Sequence, residues 1–241
     1  QGKYGNGAPI SGGNGGDAGM IAPVPAAYFH VPFGENDNMH FGLSLTAPFG
    51  FKTEYDRDWV GRYHGTKTDL KAVDLGAAFS YDVNPYVSFG ASVFVEHLTI
   101  ELANAVDFGA VAYSASKGAS AALGLVPGSA DGYATVEGNN NAVGYVIGGT
   151  FSPTENTNIA LSYRSKVEHK ITGGKATFDV PQNVQVVLNT AANGLFVNTS
   201  GKATVTLPAS ATLSVTHVVN DQWTVMADVT RTAWSTAFDS V

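Results

Sequence analysis

Residues 39–65 read MHFGLSLTAPFGFKTEYDRDWVGRYHG, and the opening part of this stretch decides the fold. Met39, Phe41, Leu43, Leu45, Ala47 and Phe49 are apolar, while His40, Gly42, Ser44 and Thr46 between them are polar or small. Successive side chains on a strand point to opposite faces, so this pattern predicts a strand with one apolar face and one wet face. Pro48 and Gly50 then interrupt it. Proline cannot donate to a ladder and glycine weakens one, so the pair marks a bulge, a kink or an exit. A charged, aromatic segment follows, from Lys52 to His64.

The same period of two runs through the chain from residue 20 and predicts eight strands, at 20–33, 38–50, 66–82, 86–102, 142–152, 157–172, 203–219 and 222–236. Val73, Leu75, Ala77, Phe79 and Tyr81 alternate with Asp74, Gly76, Ala78 and Ser80. Ile159, Leu161, Tyr163 and Val167 alternate with Ala160, Ser162, Arg164, Lys166 and Glu168. The turns at 34–37, 83–85, 153–156 and 220–221 are short and rich in turn formers. The connections at 51–65, 103–141 and 173–202 are long. Short and long alternate, as they do in an outer-membrane barrel, whose short turns face the periplasm and long loops face outward.

Strand length fits the ~9–11 residues of a tilted membrane strand. Tyr81, Tyr86, Phe151, Tyr163, Trp223 and Trp234 fall near strand ends, where aromatic girdles sit. Asp74, Glu96, Arg164, Lys166, Glu168, Lys170 and Asp228 occupy the polar phase of their strands, as expected of a lumen. Periodicity alone also permits a soluble sheet with a solvated outer face. Loop alternation, strand length and low charge favour the transmembrane antiparallel β-barrel, an all-β fold with short helices in its long loops.

Charged residues make up 14% of the 241, below the usual quarter. A net charge of −7 disfavours nucleic acid and anionic surfaces as partners. The absence of cysteine excludes disulfides and thiolate metal sites. No run approaches the ~20 apolar residues of a membrane helix. The chain starts neither with Met nor with a secretory leader, and it ends at Ala237–Val241 without a closing aromatic residue, so further strands and sequence are expected beyond both ends. Residues 1–19 are glycine-rich and aperiodic, and predict a flexible loop ahead of the partial barrel at 20–241. GKYGNG there lacks the strand and helix of a dinucleotide loop, and GGNGGDAG is a single copy of a repeat that needs stacked neighbours.

The six histidines are scattered with no pair at metal-ligand spacing, and no nucleophile elbow occurs, so no metal, cofactor or catalytic residue is predicted. Asp56, Arg57, Asp58 and Arg62 are expected to form an ion-paired loop over the barrel rim, with Trp59 and Tyr63 anchoring it at the membrane surface. At 179–198, Asp179 can cap, Pro181 suits a first turn, and Val184, Val187, Leu188, Ala191 and Leu195 follow helical spacing, with Gly194 as a stop. Residues 103–126 carry Val106, Phe108, Val111, Leu123, Leu125 and Val126 among alanines and glycines. These two apolar loops either bury their faces against each other or leave a groove for a ligand.

The stretch LTAPFGFKTEYDRDWVGRYHGTKTDL at 45–70 resembles the signature region of the FadL family of outer-membrane channels for long-chain fatty acids and other hydrophobic compounds. ALSYRSKVEHKITG at 160–173 and LPASATLSV…QWTVMADVTRTAWS at 207–235 extend the likeness over roughly 20–238. The resemblance implies a barrel of about fourteen strands with an N-terminal plug, capture of a hydrophobic molecule between two long loops, and lateral release through a kinked strand. By that likeness the kink falls at Ala47, Pro48, Phe49 and Gly50. The groove falls on loops carrying Phe108, Val111, Leu123, Leu125, Val184, Val187, Leu188, Leu195 and Phe196. The partners implied are a fatty acid or hydrocarbon and outer-membrane lipid. Two departures stand out. The plug segment is absent, and the basic residue expected around Ala103 to hold a carboxylate is missing, which leaves Arg62 and Lys67 as candidate headgroup contacts and aromatic hydrocarbons as candidate cargo. A general aqueous porin and a structural or adhesive surface barrel are the alternatives.

Overall fold

The computed structural model describes residues 2–191 and 195–236. Ten strands pair antiparallel in one sheet: β1 Ala27–Phe33, β2 Met39–Glu54, β3 Lys67–Asn84, β4 Val87–Asp107, β5 Asp131–Thr154, β6 Thr157–Arg164, β7 Val167–Asp179, β8 Thr199–Leu207, β9 Ser210–Asn220 and β10 Trp223–Thr232. Two helices, α1 Phe108–Ala115 and α2 Gln182–Ala191, lie in the long connections. Among the described residues no helix is long and apolar enough to cross a membrane.

The eight expected strands become ten because two of them are broken. Ser165 and Lys166 separate β6 from β7, and Pro208 and Ala209 separate β8 from β9. Pro208 has no amide to give the ladder. The first strand starts at Ala27 rather than 20, since Pro23 and Pro25 spoil the pairing before it. β5 starts well before 142: its polar stretch DGYATVEGNNN pairs with the upper half of β4, from Asp107↔Asp131 to His97↔Asn141. The helix expected from Asp179 forms at Gln182, with Asp179 still in β7; Pro181 accepts the first amides, from Val184 and Gln185. The stop assigned to Gly194 lies outside the described residues.

The two faces of the sheet separate the barrel from a soluble sandwich. Leu75 (64% exposed), Val93 (59%), Val143 (66%) and Val229 (71%) stand on the outer face, and Leu75, Val95 and Val143 are in register across β3, β4 and β5. A soluble sheet buries this phase; here it is the uncovered one, as lipid requires. The band runs from Val73 to Tyr81 on β3 and from Val95 to Phe89 on β4. Above it the same outer face turns polar, with Lys67, Asp69, Lys71, Glu101 and Glu137. The strands therefore outrun the membrane at the long-loop end. Tyr81, Tyr86, Phe151 and Trp223 sit beside the short turns at the other end, as a girdle should.

Beyond Arg164 the wall steps inward. β5 pairs with β6 from Thr154 to Val146, and with β7 only from Glu137 to Tyr133. Between those runs, Val167, His169 and Ile171 bury themselves against the inner faces of β4 and β5. Gly144 makes this approach possible: a Cβ there would lie 2.3 Å from the Phe94 ring and 2.9 Å from Val167. The step shifts the phase, so Lys166, Glu168 and Lys170, expected in the lumen, stand on the opposite, exposed face.

Candidate functional site

The break at Pro48 is a β-bulge. Thr46 pairs with Asp74 and Phe49 with Ala72, so Ala47 and Pro48 together oppose Val73 alone. One extra residue moves every later side chain to the other face. Phe49, which simple alternation assigns to the lipid face, therefore shares the inner face with Ala72, where it packs with Leu70, Leu98, Val205 and Leu207. Its ring meets Trp234 edge-on, with centroids 6.0 Å apart. Trp234 thus sits beside the lumenal aromatic of β2 rather than in a girdle. The ladder between β1 and β2 runs only from Phe33↔Met39 to Ala27↔Leu45. Among the described strands, β2 above Leu45 pairs with β3 alone. The bulge lies on this stretch, at the upper edge of the apolar band, where no described strand pairs with β2 on the β1 side.

The inner face is layered. The apolar patch of Phe49, Leu70, Ala72, Leu98, Val205 and Leu207 lies at and above the bulge. Beneath it is a buried charged layer. Arg164 Nη1 lies 2.7 Å from Asp74, and Nη2 donates to Glu96 at 2.7 Å. The opposite oxygen of Glu96 lies 3.0 Å from His169 Nε2, and His169 Nδ1 lies 3.3 Å from Asn140. The Phe94 ring covers the guanidinium at 4.0 Å. Nearest the short turns, the inner positions are small or hydroxylated, with Ser80, Ser88, Gly90 and Thr150 in register, and a chain of 3.0 Å contacts links His30, His40 and Asp82. Alternation identifies Asp74, Glu96 and Arg164 as inward-facing; the inward step of β7 is what brings His169, which alternation places outside with Val167, to Glu96.

At the long-loop end, α1 and α2 pack on each other. Asp107 caps α1 by accepting from Ala110. Phe108, Ala112, Leu125, Val184, Val187 and Leu188 form one buried cluster. These side chains are the core of the cap, not the lining of an open groove, because the two apolar faces satisfy each other. What stays accessible is a cleft of about 470 Å³ lined by Ala110, Val111, Ser114, Ala115, Leu195 and Phe196. Phe196 stands between Phe108 and Phe178, with ring centroids 5.0 and 5.4 Å away. Leu123, 68% exposed, is not among the residues lining the cleft.

The rim is knitted together by Arg62, which is buried. Its Nε donates to Asp131 at 2.7 Å, Nη1 to the carbonyls of Ser11 and Trp59, and Nη2 to the hydroxyls of Tyr4 and Tyr63. Burial opposes the charge, yet the Asp131 hydrogen bond and the Tyr4 contact hold Arg62 above its ordinary pKa. Burial, then the bond to Asp131, also push the Tyr63 hydroxyl up. All three guanidinium nitrogens are occupied, so a ligand carboxylate would have to displace one of these partners. Lys67 stands on the outer face, bound to Glu101 at 2.7 Å, and Ala103 pairs with it there. The glycine-rich segment is held too: the Gly13 amide donates to the Asp58 carbonyl, the Val60 amide to Gly13 and the Asp56 amide to Gly15. It is tethered strap rather than free loop. Trp59 stacks on Tyr55 at 4.2 Å and donates to Gly65, so it and Tyr63 serve the loop's own interior. Among the described residues no acidic or histidine cluster of metal-binding size occurs.

Known proteins share this architecture. A FadL homologue from Pseudomonas aeruginosa superposes with a TM-score of 0.78 at 24% identity, over 98% of this chain and 57% of that one. The Pseudomonas putida toluene transporter TodX superposes with a TM-score of 0.60 at 24% identity, over 88% and 55%. Long-chain fatty acid transport proteins of Salmonella typhi and Escherichia coli K12 are 27% and 28% identical, over 91% and 90% of this chain. The chain spans about half the length of these curated relatives, 51% and 52%. Residues 2–241 match the profile described as outer membrane protein transport protein (OMPP1/FadL/TodX), and the chain belongs to that family of outer-membrane β-barrel proteins.

Proposed function

We propose that this chain forms part of a passive outer-membrane channel for hydrophobic molecules, fatty acids or aromatic hydrocarbons, which are captured at the loop cap and released sideways through the wall at Ala47–Gly50. The observation that carries this reading is the coincidence of three features at one height: the bulge, the end of the β1–β2 ladder, and an apolar lumenal patch that includes Phe49. A molecule resting on that patch has an unpaired stretch of wall beside it and the upper edge of the lipid band outside. Burial at ~25 cal/mol/Å² draws such a molecule out of water without any charge recognition.

The relatives support the cargo class, since they include long-chain fatty acid transport proteins and a monoaromatic hydrocarbon channel. The burial of Phe94, Glu96, Leu98 and His169, where β7 packs on β4, weighs against a water-lined wall at this height. The cleft beside α1 supplies an apolar entry site. The test is displacement of a fluorescent fatty acid from the intact protein in detergent by unlabelled fatty acids and by toluene. Displacement by either supports the reading; no specific binding of the probe, and no effect of toluene, would sink it.

A further inference from the structure

We propose that the Asp74–Glu96–Arg164–His169 layer is a charge filter: it favours neutral hydrocarbon ligands over carboxylates and turns them sideways at the wall break. This rests on the hydrophobic-transport reading above.

Position supports the role first. Asp74 pairs with Thr46, the last residue before the bulge, and Ala72 with Phe49, the first after it. The charged layer is therefore the floor on which a ligand at the apolar patch would rest, and Phe49 lies 6.0 Å from Arg164 itself. The floor is also tightly packed where β7 lies on β4 and β5. Phe94, Glu96, Leu98, Val167 and His169 are each no more than 3% exposed. An apolar molecule moving along this wall toward the periplasmic end would leave the apolar patch for buried charge, whereas the side route at Ala47–Gly50 is free of ladder bonds to β1.

The second ground is charge. Two carboxylates face one guanidinium, so the layer carries −1 with His169 neutral and zero with it protonated. Both terminal nitrogens of Arg164 are spent on Asp74 and Glu96 at 2.7 Å, and His169 is spent on Glu96 and Asn140. The charged neighbours of His169 on β7, Glu168 and Lys170, pair with each other on the opposite face, where Lys166 also stands exposed; farther along β7, Lys175 pairs with Glu137 and Asp179 with Arg57. A carboxylate headgroup arriving here finds two resident anions and, on Arg164, the buried Nε as the one nitrogen without a partner, so its charge is poorly compensated. A neutral hydrocarbon asks nothing of the layer.

Proteoliposomes of the intact native protein, held at pH 8, would be given dodecanoate and methyl dodecanoate, which share a chain and differ in charge. The ester should cross at least tenfold faster than the carboxylate, each corrected for protein-free vesicles. Equal rates, or a faster carboxylate, would overturn the filter while leaving the transport reading intact. Neither ligand exceeding protein-free vesicles would instead bring down the transport reading itself. Attribution to this layer comes from Asp74→Asn/Glu96→Gln, which leaves Arg164 without a resident anion and should bring dodecanoate to within about threefold of the ester. Where that variant fails to fold, Asp74→Asn/Glu96→Gln/Arg164→Gln removes the charge altogether and should narrow the gap likewise. An unchanged ratio in either folded variant would overturn the assignment, and the native pair decides alone if neither folds.

Discussion

Replacing Arg62 by Met keeps the length and apolar stem of the side chain and removes every polar contact it makes. Lost are the 2.7 Å ion pair to Asp131, the carbonyl contacts to Ser11 and Trp59, and the hydroxyl contacts to Tyr4 and Tyr63. Breaking a buried pair from one side costs about 3–5 kcal/mol. Asp131 is a quarter exposed and keeps its bond from Tyr63, so the cost falls at or below the bottom of that range, about 2–3 kcal/mol. That free energy holds the strap of residues 2–18 on the rim, since Arg62 is the side chain that reaches both Ser11 and Tyr4. Amide hydrogen exchange on the intact protein reads it directly, because local opening is governed by local free energy. The amides of Gly13, Asp56 and Val60, which link strap and loop, should exchange about 30- to 150-fold faster in the variant, at tenfold per 1.4 kcal/mol. Amides of β3 and β4 should keep their native rates. Raising salt to 0.5 M should leave the native protection largely intact, because a buried pair is poorly screened. Unchanged exchange at Gly13 and Val60 in Arg62→Met would refute the clamp and leave the strap held by backbone bonds alone.

Other perturbations follow from the packing. Leu188→Ala removes a fully buried side chain from the α1–α2 interface and should cost about 2–5 kcal/mol of cap stability, seen as faster protease cleavage between 173 and 198 with the heat-modifiable barrel band unchanged. Leu195→Ser takes apolar area from the accessible cleft without touching that core; it should weaken binding of a fluorescent fatty acid about fivefold, for a loss of about 1 kcal/mol, with loop proteolysis unaltered. Gly144→Val drives a side chain into the Phe94 ring and Val167, beyond the about 1–3 kcal/mol of ordinary overpacking, and should abolish the folded band on gels run without heating.

The strands were legible because their period is two and their outer face is almost free of charge. Leu75, Val93 and Val143 announce the lipid face through alternation alone. What alternation cannot see is a change of phase. Phe49 looks outward by counting from Phe41, and only the bulge at Ala47–Pro48 turns it in. The same blindness hid the step after Arg164: Val167 and Ile171 read as lipid-facing, while their burial follows from Gly138 and Gly144 on a neighbouring strand far away in sequence. Pro208 was the available clue to the second break. In the loops, helical spacing found the apolar residues of α2 but could not say whether they faced a ligand or α1; partner geometry decided for α1. Arg62 was visible as a charge in a charged segment, but its partners, Tyr4, Ser11 and Asp131, come from both sides of the chain. The glycine-rich strap carries no periodicity, so its attachment through backbone bonds left no mark in composition.

Lateral passage at the bulge is tested most directly by mending the strand. Pro48→Val with Gly50→Val supplies the missing donor and two β-favouring side chains, and a Cβ at Gly50 meets nothing within 4 Å, so folding should survive. Transfer of a fluorescent fatty acid or neutral hydrocarbon probe through the intact protein in proteoliposomes should fall at least tenfold, while probe binding at the loop cap and the heat-modifiable band stay as in the native protein. Transfer at the native rate through the mended strand would contradict the account and place the exit elsewhere in the barrel.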